Sequence, residues 1–192
     1  YSNDMTITGS KTITIKNGTL GGGGSMKLSV SGGAKVTVDG VSLGQVEASG
    51  SGTSLTLRGE TLIMSSSVAT MISIKDSATA TIEYAEVTTS GVTDAAYAGL
   101  IETENADLSI QDGYFWTIRM NGGSSWNPVV RKKGTGRLNL SGGYYCSTHG
   151  GTGECTTWWS AGTSNQTLIA TEGGVSGSYQ NGTDVGIKYP VF

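Results

Sequence analysis

The sequence predicts an all-β chain: a single-stranded parallel β-solenoid, or β-helix, of about seven coils of 19–30 residues. Three observations predict it. The first is composition, with 31 Gly, 24 Ser and 26 Thr among 192 residues, against 2 Pro and 14% charged residues. Gly costs roughly 1 kcal/mol at a helix position and Thr favours extended chain, so long helices are excluded. Collagen fails because Gly has no three-residue period. Disorder fails because 36% of residues are hydrophobic and arrive in short alternating clusters. The second observation is an internal repeat, and the third is a column of charges in register with it.

The repeat is an eight-residue frame, apolar at its first, third and eighth positions and polar or Gly between. It occurs at 13–20, 36–43, 55–62, 80–87, 108–115, 138–145 and, more loosely, 168–175. The intervals are 23, 19, 25, 28, 30 and 30 residues. Six residues before each frame, a strand-like piece ends in a turn of Gly, Ser, Asn or Asp: Ile7 before Gly9-Ser10, Val30 before Gly32-Gly33, Ser49 before Gly50-Ser51, Ile74 before Asp76-Ser77, Glu102 before Glu104-Asn105, Lys132 before Gly134. Each repeat is therefore a strand, a tight corner, a second strand and a longer excursion. Period-two alternation turns the first and third frame positions inward and the residues between them outward.

The outward column after the third position reads Lys16, Asp39, Arg58, Glu83, with alternating sign. Parallel strands stacked about 4.8 Å apart set each of these charges between opposite neighbours. The same register predicts Asp107 beside Arg137 and Glu102 beside Lys132. Stacking buries a column of Ile, Val and Leu that no single repeat could bury alone. An antiparallel sandwich is the rival all-β reading; it predicts turns every 8 to 12 residues and no charge column at this spacing.

The segments 28–38 (LSVSGGAKVTV) and 138–145 (LNLSGGYY) resemble coils of right-handed parallel β-helices of the pectin-lyase-like superfamily. Within it they are similar to repeat regions of bacterial cell-surface proteins and adhesins. The resemblance covers about residues 5–176 and implies right-handed winding, which is also the general rule for parallel crossovers. The expected organisation is one β-helix domain over 1–192, with a C-terminal edge or cap at 177–192, forming part of a larger protein. The frame fades after Val175, and 185–190 reads as a final edge strand stopped by Pro190. An N-terminal edge without a capping helix points to end-to-end self-association.

The net charge of −3 and the absence of a basic cluster beyond Arg131, Lys132 and Lys133 exclude a nucleic-acid or anionic-membrane footprint. No apolar run approaches the roughly 20 residues of a membrane span, so no membrane insertion is expected. Cys146 and Cys155 lie nine positions apart in a Gly-rich stretch, compatible with a disulfide, two free thiols being the alternative. His149, the single histidine, reads as a loop residue beside that bridge. A zinc site with Cys146, Cys155 and Glu154 would need a second His or a Cys-x-x-Cys pair. No metal and no cofactor are expected. The four glycines at 21–24 lack the Lys-Ser/Thr tail of a phosphate loop and read as a corner. The Thr column Thr14, Thr37, Thr56, Thr81 is flanked by columns carrying Lys35, Lys16, Asp39, Arg58 and Glu83, which argues against an ice-binding face.

Polygalacturonase-like and pectate-lyase-like relatives imply clustered Asp with His, or Asp ligands for calcium with an Arg base. The acids of this chain fall mostly into columns with cations, and no catalytic residue is assigned. The aromatic residues are the functional signal, because all four Trp and both Phe lie after residue 114. Trp116, Trp126, Tyr144, Trp158 and Trp159 are the candidate ligand-binding residues, since adjacent aromatics on a strand face opposite sides and an outward ring can stack on a sugar. The expected function is a non-catalytic extracellular or cell-surface domain for adhesion or carbohydrate binding, its partner a glycan or a host or cell-surface protein. The alternatives are a polysaccharide lyase or hydrolase and a structural stalk or filament subunit.

Overall fold

The structure, a computed structural model, describes residues 4–21, 26–65, 70–90, 99–119, 128–149, 159–160 and 169–172; side chains at 90, 118–119, 147–149, 159–160 and 169–172 lie outside the description. Among the described residues there is no helix, and the strands alternate between two sheets. The first sheet is β1 (Met5–Thr8), β3 (Lys27–Ser31), β5 (Gln45–Ser49), β8 (Ile72–Lys75), β11 (Ile101–Glu104), β14 (Val130–Lys133) and β18 (Ile169–Glu172), in that order. All of its pairings are parallel. Such strands cannot be joined by hairpins, so the second sheet receives the intervening chain.

The second sheet is strongly curled. Its stem is β2 (Thr12–Thr19) against β4 (Lys35–Leu43). Along the other edge of β4, residues Lys35–Asp39 pair with β6 (Ser54–Arg58), while Ser42 and Leu43 pair with β7 (Leu62–Ser65). From this fork run two limbs. The first limb continues through β9 (Thr79–Ile82), β12 (Asp107–Ile110) and β15 (Leu138–Leu140). The second continues through β10 (Glu86–Ser90), β13 (Tyr114–Arg119), β16 (Tyr144–His149) and the antiparallel β17 (Trp159–Ser160). Three-residue bends at 59–61, 83–85, 111–113 and 141–143 carry the chain from one limb to the other.

Alternation decides what is inside. Val30, Ala48, Ile74 and Thr103 form an inward column of the first sheet, and Val36, Leu55, Ala80, Leu108 and Leu138 one of the first limb. On the second limb Leu43, Ile63, Val87, Phe115 and Tyr145 align, all buried in the same core. Phe115 and Tyr145 stack there with centroids 5.2 Å apart, the spacing of adjacent strands, and the buried Tyr145 hydroxyl donates to Gly142 O at 2.8 Å. Inward frame positions are thus occupied as the alternation predicts, with one exception. In the frame at 55–62 the inward residue is Ile63, not Leu62, because the bend at 59–61 shifts the second limb by one residue.

The charge column begins as expected. Asp39 Oδ2 lies 3.7 Å from Lys16 Nζ and 3.1 Å from Arg58 Nε. Glu83 is not its fourth member, since β9 ends at Ile82 and Glu83 lies in the following bend. Asp107 Oδ1 accepts the Arg137 backbone N–H at 2.7 Å.

The expected Glu102–Lys132 pair does not form. Glu102 is opposite Arg131, and its carboxylate lies 3.0 Å from Lys133 Nζ and 3.7 Å from Arg131 Nη1. The reason is a difference in corner length. Two residues, Asn105 and Ala106, separate β11 from β12, whereas Gly134, Thr135, Gly136 and Arg137 separate β14 from β15. Strand β12 begins one residue early, at Asp107 opposite Arg137, so the longer corner holds one extra residue and displaces the first-sheet register by one. Lys132 thereby falls in the inward column opposite Thr103 and is 0% exposed. Its ammonium donates to Gly134 O at 2.6 Å and Thr135 O at 3.0 Å, and burial lowers its proton affinity against the opposing pull of Asp107.

The loose copy at 168–175 is also corrected. Ile169–Glu172 pairs with Val130–Lys133 in the first sheet, so this segment does not occupy the frame position in the second sheet. The expected C-terminal edge or cap at 177–192 lies outside the described residues.

Candidate functional site

The outward face of the second limb carries the aromatic residues and a group of acids. Frame positions seven and eight are neighbours on a strand, so when Phe115 and Tyr145 point inward, Tyr114 and Tyr144 must point outward. Glu86, Tyr114 and Tyr144 form one outward column across β10, β13 and β16. The two tyrosine rings stack with centroids 5.1 Å apart and planes 19° apart, making a continuous aromatic ridge across two strands. Both are half-buried, as is Glu86. Tyr84, in the bend before β10, donates its hydroxyl to Glu86 Oε1 at 3.0 Å. Asp112 stands in the equivalent bend before β13, and its Oδ1 accepts the Gly113 N–H at 2.8 Å.

The electrostatics tie these groups together. Desolvation raises the proton affinity of Glu86, Glu60 adds to the rise, and the Tyr84 hydroxyl opposes it. Desolvation likewise raises the phenol of Tyr84, helped by its hydrogen bond to Glu86 and by the charges of Glu86 and Asp112. Tyr114 is raised by desolvation first, then by Tyr144, Asp112 and Glu86.

A second outward column runs Met64, Thr88, Trp116, Cys146. It starts exposed, Met64 being 45% accessible, and becomes covered, Trp116 and Cys146 each being 3%. Trp116 and Cys146 form a small apolar cluster of their own, flanked by Tyr114 and Tyr144 and separate from the main core. Trp116 therefore leaves the interior as alternation predicts, yet it is not the exposed stacking platform expected of it. Its ring packs at the back of the tyrosine ridge. Cys146 is disulfide-bonded, and the other cysteine of the sequence, Cys155, lies outside the described residues. Trp126 and Trp158 also lie outside them, and Trp159 is placed by its backbone alone, in β17 opposite Tyr145.

Of the expected binding residues, the structure brings Tyr144 and Trp116 to one face and adds Tyr114, Tyr84, Glu86 and Thr88. The sequence signal for these was the seventh frame position, where Glu86, Tyr114 and Tyr144 succeed one another. A depression of about 190 Å³ lies at the corner between the first sheet and the first limb, lined by Ser77, Asn105, Asp107 and Thr135 among others. Among the described residues no three His, Cys, Asp or Glu side chains are grouped to hold a metal ion, and no helix is long and apolar enough to cross a membrane. Compared with known proteins, the chain significantly matches no family model, no curated protein and no solved structure.

Proposed function

We propose that the chain is a non-catalytic, extracellular surface domain that binds carbohydrate on the outward face of the second limb, and that its architecture is a right-handed parallel β-solenoid of pectin-lyase-like kind. In this reading each sequence repeat is one coil with three faces: a first-sheet strand, a first-limb strand and a second-limb strand. The repeated strand order supports it, since successive repeats add one strand to each face in the same direction. The observation that carries the binding function is the Tyr114–Tyr144 ridge beside Glu86. An apolar ring edge with a carboxylate and hydroxyls at its flank offers a sugar both a surface for its C–H face and acceptors for its hydroxyls. The partner is a glycan or a glycan-bearing protein of a host or cell surface.

A glycan array on the purified chain tests this. Binding that is lost at least tenfold in Tyr144→Ala and Tyr114→Ala, with melting temperature retained, supports it. An array without binding removes the function.

Two other readings each have an observation behind them. The raised proton affinity of Glu86 near Glu60 and Asp112 is the pattern of a general acid, which favours a polysaccharide-degrading enzyme. Release of reducing or unsaturated ends from pectins or host glycans, abolished in Glu86→Gln, would establish that activity. The stem edge at β2 leaves Ile13 and Ile15 of the inward column only partly buried, which favours end-to-end self-association in a stalk or filament. Sedimentation that depends on concentration, and ceases to in Ile15→Lys, would establish that one.

A further inference from the structure

Three carboxylates outside the second limb are each held between cations. On the first sheet Glu47 lies 2.8 Å from Lys27 and 3.9 Å from Lys75, and Glu102 lies between Lys133 and Arg131. On the stem Asp39 lies between Lys16 and Arg58. Each of these three carboxylates has two cations. On the second limb and its bends the reverse holds: Glu60, Glu86 and Asp112 have no ion pair among the described residues, and their hydrogen-bond partners there are the Tyr84 hydroxyl for Glu86 and a backbone N–H for Asp112. Among the described residues, carboxylates without an ion pair thus accompany the aromatic ridge.

An independent observation marks the same face. Thr88 follows Glu86 by two residues on β10, so alternation puts both side chains outward. Thr88 is 6% exposed, and its hydroxyl has no hydrogen-bond partner among the described residues. A buried hydroxyl left unpaired costs free energy that a ligand's polar group can recover. The face therefore presents a half-buried carboxylate, an orphan hydroxyl and a tyrosine ridge. Those groups are complemented by a flat sugar ring that carries a cationic donor.

We propose that the ligand of this face is an amino sugar with free ammonium groups, such as a glucosamine oligomer, and that uronate-bearing and other acidic glycans are excluded. This rests on the reading of the face as a glycan-binding surface. An ammonium brings three donors to a site whose acceptors are charged, and charge-assisted hydrogen bonds are about twice as strong as neutral ones. N-acetylation removes that charge. A uronate would set a like charge against three carboxylates that have no ion pair among the described residues, which supplies specificity by repulsion.

The test is calorimetric titration of the intact chain with a fully deacetylated glucosamine hexamer, its N-acetylated counterpart and a galacturonate hexamer, at low and at 0.5 M salt. We expect the deacetylated hexamer to bind at least tenfold more tightly than either other, with most of that advantage lost at high salt. Glu86→Gln should bring its affinity down to that of the N-acetylated hexamer. Glu104→Gln makes the same change of net charge on the first sheet and should leave binding unaltered. Equal loss in both variants, or equal or tighter binding of the N-acetylated or galacturonate hexamer, overturns the proposal while leaving glycan binding standing. A chain that binds none of the three, and no other glycan on an array, overturns the binding reading itself.

Discussion

Replacement of Lys132 tests the interior directly, because a lysine at 0% exposure is the least expected member of an apolar column. Lys132→Ala removes three methylenes beyond Cβ, worth about 2.4 kcal/mol at roughly 0.8 kcal/mol each. It also leaves Gly134 O and Thr135 O without their donor, but Thr135 is exposed at the corner and water can replace the ammonium there. Lys132→Met keeps the stem and removes the charge. Since burying an ammonium costs several kcal/mol that its hydrogen bonds only partly offset, the apolar analogue should be close to neutral. The expected urea-denaturation results at pH 7 are a loss of about 2–4 kcal/mol for Lys132→Ala and a change within about 1 kcal/mol for Lys132→Met. The pH dependence gives a second readout. Burial lowers the lysine's proton affinity, so the folded chain sheds this proton before the unfolded chain does, and stability from this group rises as pH approaches 10.5. Lys132→Met should flatten that rise. Equal losses in the two variants would refute the reasoning by showing that the ammonium, not its stem, holds the corner. A neutral Lys132→Ala would show that the side chain is not interior.

Burial raises the Tyr145 phenol above its ordinary 10.0, so above pH 10 the unfolded chain ionises first; stability should fall there by up to about 1.4 kcal/mol per pH unit, and a Tyr145→Phe variant should fall less steeply in the same urea titration. On the acid side, the Lys27 hydrogen bond and the Lys75 charge outweigh burial and lower the Glu47 carboxyl, so its contribution is present above pH 4.5 and lost as pH falls below it; Glu47→Gln should blunt acid unfolding. Asp39→Asn disrupts two half-exposed ion pairs, and its cost should stay below about 1 kcal/mol and shrink in 1 M salt; a larger, salt-insensitive loss would mean that the column is more than a surface ladder. Gly113→Ala should cost about 2–5 kcal/mol, because Gly113 has φ +131° and its added methyl would meet Ala85 O in the bend of the preceding repeat, a cost readable as a drop in melting temperature.

The parts of the fold legible in the sequence were those set by short-range rules. Val36, Val38, Leu55 and Leu57 alternate with polar neighbours, and period-two geometry alone buries them. Turn residues at Gly9, Gly32, Asp76, Asn105 and Gly134 mark corners, and each has positive φ in the structure. The Lys16–Asp39–Arg58 ladder was legible because β2, β4 and β6 pair without an insertion between them. The candidate site was only half legible. Tyr144 stood out as an aromatic, but Glu86 and Tyr84 become site residues only when β10 is laid beside β13.

The sequence by itself determined that the chain is built of short strands, where most of them lie and which side chains of each turn inward, because alternation and turn chemistry act over a few residues. Tertiary structure decided which side chains of different repeats meet. Parallel neighbours are 18 to 39 residues apart in sequence, and one extra residue in a corner sets the first-sheet pairing of its repeat one residue off the second-sheet pairing. That single shift took Lys132 from the surface ladder into the core and gave Glu102 to Arg131 and Lys133. The stacking of the second limb likewise covered Trp116 and left Glu86, Thr88 and the tyrosine ridge on one outward face.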